Sequence, residues 1–264
     1  MFFVRAKFEL FHVEHSWNVQ QQQTHPFSWI HMNVTEFAAR IDHTILKPEA
    51  SYSDIERTTQ EAVEHHFASV CVAPCYIARL KPLLGCSGVT ACTVVGFPHG
   101  TSKSTIKAIE ATSAVKDGAV ELDIVAHLPY LAAANLESAR AELLEIVRAA
   151  RAARRETIIK VIVESAYLLS LGNDQGEAAI ETACRAVRES GCDFIKTSTG
   201  FHPAGGASVL AITLMKAHGA GLLIKASGGI RDLPTALQML EAGADRLGLS
   251  NSIAICAELN RKPS

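Results

Sequence analysis

The sequence predicts an α/β chain folded as one (β/α)8 (TIM) barrel behind a short N-terminal extension. Three observations predict it. Eight short apolar, β-rich runs alternate with helical patterns through most of the 264 residues, and such alternation means parallel strands covered on both faces. Gly118-Ala119, Gly191-Cys192 and Gly243-Ala244 mark helix-to-strand junctions, where glycine stops a helix and its neighbour enters a buried strand. No Gly-rich dinucleotide fingerprint follows an early run, which disfavours the doubly wound open sheet. Eight units in about 230 residues also match the usual barrel size.

Residues 1–33 differ from the rest. They hold Gln20 to Gln23, four histidines (His12, His15, His25, His31) and both tryptophans, without helical or strand period. A poorly ordered extension, or an upstream start ahead of Met32, is expected. His12 and His15 could ligate a metal, but so short a motif reads more simply as a solvated tail. The barrel domain is placed at 34–264, entered by a helical stretch from Met32 to Ala38. Strands are expected around Ile41 and at 69–72, 89–95, 120–124, 157–163, 194–196, 222–225 and 246–249. The intervening helices begin with 54–66, entered through Ser53. In 104–116, Ile106, Ile109 and Val115 fall near helical spacing. In 135–151, Leu136, Ala139, Leu143 and Val147 share a face, and in 176–190 so do Ala179, Ile180, Ala183 and Val187. Residues 210–217 follow, then 232–242 between an Asp232 cap and Gly243, and a last helix opened by Ser250-Asn251-Ser252.

Composition narrows the function. With 48% apolar and 20% charged residues the chain builds a sizeable core and is not a disordered sequence. Lys plus Arg number 25 against 27 Asp plus Glu, for a net charge of −2, so the broad basic footprint of a nucleic-acid binder is missing. No stretch reaches the roughly 20 apolar residues of a membrane span, and no compact apolar run with a cleavage site follows Met1-Phe2-Phe3-Val4. Seven irregularly spaced cysteines, among them Cys71, Cys86, Cys92, Cys184 and Cys192 in or beside apolar segments, read as buried reduced thiols of a cytoplasmic protein. The Cys71/Cys75 and Cys86/Cys92 spacings fit no zinc ribbon, and no metal is expected.

Chemistry in such a barrel sits at the C-terminal ends of the strands. These ends offer Asp42-His43-Thr44, then Cys71, then Gly96-Phe97-Pro98-His99-Gly100. The fourth and fifth runs offer Glu121, Asp123 and the nearby His127, Lys160 within its run, and Glu164 after it. The last three offer Lys196, Lys225 and Ser250-Asn251. Two lysines ending consecutive apolar runs are the strongest signal, because burying an ammonium costs several kcal/mol. Each precedes a small-residue turn, Thr197-Ser198-Thr199-Gly200 or Ala226-Ser227-Gly228-Gly229, which suits amine chemistry on a phosphorylated carbonyl compound. An attacking lysine must be neutral, yet free lysine has a pKa near 10.4, and reaching about 7 takes roughly 4–5 kcal/mol. A second ammonium about 4 Å away, at an effective dielectric of ~20, supplies roughly 4 kcal/mol, and desolvation the remainder. On this reading Lys196 forms a Schiff base, Lys225 tunes it and shuttles protons, and Asp123 relays protons through water at the carbon that becomes an enamine. Singly, each lysine reads as a snorkelling or ion-paired side chain, and Asp123 as a structural partner of Lys160 or Lys196. The three together tip the reading towards catalysis. Small-residue segments after the last three strands fit a phosphate held by backbone N–H groups and a helix N-terminus.

With these residues in view, about 35 to 258 of the chain resembles the deoxyribose-phosphate aldolase family. The early segments that carry the likeness are Ile41-Asp42-His43-Thr44-Ile45-Leu46-Lys47-Pro48, Val70-Cys71-Val72 and Val95-Gly96-Phe97-Pro98-His99-Gly100. It continues through Glu121-Leu122-Asp123-Ile124-Val125 and Lys160-Val161-Ile162-Val163-Glu164. It is sharpest in Asp193-Phe194-Ile195-Lys196-Thr197-Ser198-Thr199-Gly200-Phe201 and Lys225-Ala226-Ser227-Gly228-Gly229-Ile230-Arg231. The resemblance implies a class I aldolase interconverting 2-deoxy-D-ribose 5-phosphate with D-glyceraldehyde 3-phosphate and acetaldehyde in deoxynucleoside breakdown. It places the Schiff-base lysine on Lys196, the second lysine on Lys225, the relay aspartate on Asp123 and a supporting lysine on Lys160. Substrate contacts fall on Thr44, Cys71 and Thr199, and phosphate contacts on Gly200, Phe201, Gly228, Gly229 and Ser250, with Asn251 beside them where relatives often carry a second serine. His127 stands where, or close to where, relatives often have asparagine. No cofactor is implied, since the amine is itself the electron sink, and a homo-oligomer, dimer or tetramer, is expected. The competing readings are a related Schiff-base aldolase acting on another phosphorylated sugar, and a catalytically silent barrel that binds a phosphometabolite.

Overall fold

The computed structural model describes residues 32–261. The expectations for residues 1–31, including His12 and His15, and for 262–264 lie outside these. Eight strands, all paired in parallel, close in sequence order into a barrel, β8 pairing with β1. They are β1 (Ile41–Ile45), β2 (Ser69–Val72), β3 (Thr90–Val95), β4 (Glu121–Val125), β5 (Ile158–Ile162), β6 (Phe194–Lys196), β7 (Leu223–Ser227) and β8 (Arg246–Leu249). The predicted (β/α)8 class is therefore what the chain adopts. The strands are short and rich in Ile, Val and Leu because each is sandwiched between the barrel interior and a covering helix.

The helices are α1 (Val34–Ala38), α2 (Tyr52–Glu64), α3 (Ile77–Leu84), α4 (Ser104–Asp117), α5 (Leu128–Ala132), α6 (Leu136–Ala153), α7 (Ser165–Leu169), α8 (Asn173–Glu189), α9 (Val209–His218), α10 (Leu233–Glu241) and α11 (Ser252–Arg261). Their starts carry oxygen-bearing caps where the sequence supplies them. Asn33 and Ser51 form capping boxes with Glu36 and Asp54, and Asp232 accepts from the Thr235 N–H as predicted.

Several expectations are corrected. Ser51, not Ser53, caps α2, because the acid that completes the box, Asp54, lies three residues after Ser51. Helix α3 is unpredicted: Pro82 interrupts its pattern, yet Ile77, Leu80 and Leu84 bury one face and hold it. Helix α8 begins at Asn173, with Gly176 inside its first turns. A Cβ at Gly176 would lie 2.9 Å from the Leu168 carbonyl oxygen, so this glycine serves close packing on α7 rather than a helix start. On α4, Ile106 and Ile109 are exposed, and the buried face is Lys107, Ala108, Ala111, Ala114 and Val115. That rotation follows from an ion pair: the Lys107 ammonium, fully buried, donates to Glu142 of α6 at 2.6 Å and to the Val125 carbonyl at 2.7 Å. Gly96 leaves room for it, since a Cβ there would sit 2.9 Å from Lys107 Cε. Cys86, read as buried, is exposed, as is Cys75. All seven cysteines are free thiols. Among the described residues no helix is long and apolar enough to cross a membrane.

Candidate active site

Parallel register decides which polar side chains meet inside the barrel. Asp123 and Lys160 are partners across β4 and β5, Lys196 and Lys225 across β6 and β7, and Lys225 and Arg246 across β7 and β8. Asp42 enters from β1, while Cys71 and Cys92 are partners across β2 and β3. Every strand thus contributes at least one polar or sulfur side chain to the interior.

Asp123 is the hub. One of its oxygens accepts from Lys196 Nζ at 2.6 Å and from Lys225 Nζ at 2.7 Å, and the other from Lys160 Nζ at 2.8 Å. The two lysines singled out by the sequence therefore converge on one oxygen, and their nitrogens are near neighbours. Lys225 also donates to Asp42. Arg246 donates to the other Asp42 oxygen at 2.6 Å and lies 3.5 Å from Glu121, which pairs with Lys160 at 2.6 Å. The set runs from the first residues of β4 and β8, at the N-terminal end of the barrel, up to Lys196 at the last residue of β6.

Burial works against the charges of Asp42, Asp123, Lys160 and Lys225, and their partners overcome it. Burial opposes ionisation of Asp123, but Lys160, Lys196 and Lys225 outweigh it and hold the carboxyl well below the usual carboxylate range. Asp42 is likewise held low against burial by Lys225, Lys160 and Arg246. Burial alone pulls Lys225 down, yet Asp123 and Asp42 raise it above the ordinary lysine value, so it stays an ammonium at neutral pH. Lys160 is raised in the same way against burial, chiefly by Asp123.

Above this cluster opens a cavity of about 750 Å³. Of the four interior cations only Lys196 lines it. Its walls include Thr44, Thr199, Gly200, Phe201, Gly228, Gly229, Ser250 and Asn251, all predicted, together with Lys47, Arg57 and Arg231. Cys71 and Lys160, predicted to support substrate, are fully buried and lie outside the lining. The turns after β6 and β7 are stitched together: Thr197 Oγ1 donates to the Ser227 carbonyl at 3.0 Å, and Ser227 Oγ donates to the Ser198 carbonyl at 2.6 Å. Gly228 adopts φ +82°, and a Cβ there would stand 2.8 Å from Ser198 Oγ and 3.2 Å from the Cα atoms of Gly200 and Gly206; only glycine lets these backbones approach. Thr199 is oriented from below, its N–H donating to buried Glu164 at 2.8 Å. His127 stands apart from this cavity, packed on Tyr130.

Sequence reasoning missed Arg246, gave Asp42 and Glu121 no role, and left Gly248 unnoticed. Arg246 and Glu121 open their strands, where a charged residue ordinarily reads as solvated entry. The signal for Glu121 and Asp123 was their spacing of two, which puts both on one face of a strand. Gly248 shapes the interior because a Cβ there would lie 2.9 Å from Ser227 Cβ and 3.1 Å from Lys225 Cε.

A closed parallel barrel that brings one of its interior lysines, backed by buried ion pairs, to the cavity at its open end is the architecture of an enzyme that works through an amine. Comparison with known proteins narrows the class. The family described as DeoC/LacD family aldolase matches residues 36–258, and the chain belongs to that family. A deoxyribose-phosphate aldolase of Carboxydothermus hydrogenoformans is 44% identical over 222 residues, covering 84% of this chain and 94% of that protein. One of Mycobacterium avium is 45% identical over 221 residues, covering 83% and 95%. Among solved structures, the deoxyribose phosphate aldolase of Aeropyrum pernix, described as a unique tetramer, superposes with a TM-score of 0.77 at 29% identity, covering 87% of this chain and 93% of that one.

Proposed function

We propose that this aldolase cleaves 2-deoxy-D-ribose 5-phosphate reversibly to D-glyceraldehyde 3-phosphate and acetaldehyde, through a Schiff base on Lys196. The observation that carries this reading is that Lys196, alone of the interior cations, reaches the cavity. Lys160, Lys225 and Arg246 carry three positive charges, and Asp42, Glu121 and Asp123 carry three negative ones. Neutral Lys196 leaves the buried set balanced, and protonated Lys196 is the charge in excess. Low-dielectric surroundings disfavour an excess charge, and Lys196 is the member of the set that faces substrate.

The steps follow. Lys196 Nζ adds to C1 of the open-chain aldehyde, and loss of water leaves an iminium. Removal of the proton from the C3 hydroxyl turns C3 into the aldehyde of glyceraldehyde 3-phosphate, and the C2–C3 bonding pair moves to C2, forming an enamine. C2 then takes a proton, and water hydrolyses the new iminium to acetaldehyde and free lysine. Asp123 touches Lys196, Lys225 and Lys160 at once, a position suited to passing protons through water to and from C2 and C3. Thr44 and Thr199 fit hydroxyl contacts, with Cys71 and Lys160 supporting from beneath. The phosphate fits the turns of Gly200, Phe201, Gly228 and Gly229 with Ser250 and Asn251 at the entry to α11, and Arg231 adds positive charge on the same wall. Cavity-lining Phe201 packs edge-on against Phe97, with ring centroids 5.2 Å apart. The seven free thiols suit a cytoplasmic setting, and a homo-oligomer, dimer or tetramer, agrees with the A. pernix relative.

Borohydride reduction in the presence of deoxyribose 5-phosphate, followed by peptide mapping, tests the reading. A two-carbon or five-carbon adduct on Lys196 is expected. Label on another lysine, or turnover without label, rejects it.

A further inference from the structure

We propose that Arg246 and Glu121, at the N-terminal end of the barrel, set the protonation of Lys196 at the opposite end by fixing the charge count of the buried ladder between them. The inference rests on the assignment of Lys196 as nucleophile. Neither residue lines the cavity, so each is a positioning residue that acts through others.

The ladder is continuous. Arg246 Nη1 grips Asp42 at 2.6 Å, Asp42 meets Lys225, Lys225 meets Asp123 at 2.7 Å, and Asp123 meets Lys196 at 2.6 Å. A second rail runs from Glu121 to Lys160 at 2.6 Å and from Lys160 to Asp123 at 2.8 Å. The charged and titratable groups facing this space are Asp42 on β1, Cys71 on β2, Cys92 on β3, Glu121 and Asp123 on β4, Lys160 on β5, Lys196 on β6, Lys225 on β7 and Arg246 on β8. Glu164, buried just beyond β5, holds the Thr199 N–H and makes no ion pair with the set. The Cys92 thiol is pushed up by burial and stays neutral. The Cys71 thiol is pulled down by its hydrogen bond with Cys92, against burial; with both thiols in their neutral form the count is three fixed cations, three carboxylates and Lys196.

Deleting one fixed charge shifts the balance by one unit, in a direction set by the sign of the charge removed. Without Arg246, protonated Lys196 becomes the ion that balances the carboxylates, and the amine holds its proton to higher pH. Without the Glu121 charge, protonated Lys196 makes the excess two positive charges, and the amine loses its proton at lower pH. A unit charge about 10 Å away, at an effective dielectric of about 20, moves a titration by about one pH unit. Anchoring matters as well: Arg246 occupies one Asp42 oxygen and leaves the other to Lys225.

The test is the pH dependence of kcat/KM for Arg246→Met, Arg246→Lys and Glu121→Gln on intact enzyme. The acid limb is expected to move up by about one pH unit in Arg246→Met, to stay near wild type in Arg246→Lys, and to move down by about one unit in Glu121→Gln. Opposite shifts cannot come from loosened packing, which lowers the plateau of both variants alike. Unmoved limbs, or limbs moving the same way, overturn the proposal. If Arg246→Met does not fold, the downward shift of Glu121→Gln decides it alone. Borohydride labelling separates the two levels: label on Lys196 with unmoved limbs rejects this inference only, whereas wild-type label elsewhere rejects the nucleophile assignment too.

Discussion

Gly248→Ala is the smallest change that reaches the buried ladder without touching a charge. A methyl group there would stand 2.9 Å from Ser227 Cβ and 3.1 Å from Lys225 Cε, where carbon atoms prefer about 3.5–4.0 Å. Ser227 is on the same strand as Lys225 and is tied to the Ser198 carbonyl at 2.6 Å, so the lysine stem is the part that must yield, by roughly half an ångström to one ångström. Overpacking of this kind costs about 1–3 kcal/mol. Each kcal/mol lowers the melting midpoint of a domain near this size by about 2–4 °C. The larger effect is on turnover, because the stem that moves carries the ammonium bridging Asp42 and Asp123. A misplacement near 1 Å costs on the order of 10²-fold, so kcat is expected to fall about 10- to 100-fold with KM little changed. Cleavage of deoxyribose 5-phosphate coupled to reduction of the released aldehyde reads kcat, and a thermal melt reads the packing. An alanine variant with wild-type kcat and an unmoved midpoint would refute the claim that this glycine makes room for Lys225.

Other expectations concern the rim and the shell. Gly228→Ala forces a left-handed residue and a 2.8 Å approach to Ser198 Oγ; KM for the phosphorylated sugar is expected to rise at least about tenfold, while unphosphorylated deoxyribose is turned over nearly as before, a steric and backbone penalty of about 1–2 kcal/mol. Equal losses on both sugars would place the phosphate elsewhere. Lys107→Met leaves Glu142 buried without its ammonium, and breaking such a pair costs about 3–5 kcal/mol; a denaturation midpoint close to wild type would show that the pair contributes little. His43, bonded to Glu61 at 2.9 Å and Ser252 at 2.8 Å, is lowered by burial more than Glu61 raises it. Its stabilising effect is thus fully present above the unfolded histidine value near 6.5 and is lost as pH falls through it, because the unfolded chain takes the proton first. The melting temperature of His43→Gln should therefore decline less than wild type between pH 7 and 5.5, and parallel curves would count against this.

Much of the fold was legible because each covering helix and strand has its own period. Asn135 to Arg151 reads as one apolar face, and in the structure Ala139, Leu143 and Val147 are buried there. Helix α4 shows where reading stops. Its isoleucines suggested the buried face, but the Lys107–Glu142 pair turns them outward, and an ion pair 35 residues apart leaves no local trace. The site divides the same way. Lys196, Lys225 and Asp123 stood out because a charge in an apolar run is costly, whereas Arg246 and Glu121 sit at strand entries where a charge is commonplace.

The sequence by itself determined the barrel, the lysines within its apolar strands and the glycine-bearing turns, though Lys225 lies inside β7 rather than at its end, since hydrophobic period, turn chemistry and the cost of buried charge are local properties. Tertiary structure alone decided that both lysines share one Asp123 oxygen, that Asp42, Glu121 and Arg246 complete a balanced set of charges around them, and that only one of the four interior cations meets the cavity. Strand register and barrel closure make those contacts, between residues as many as 204 positions apart, and electrostatic balance is a property of the assembled interior rather than of any segment.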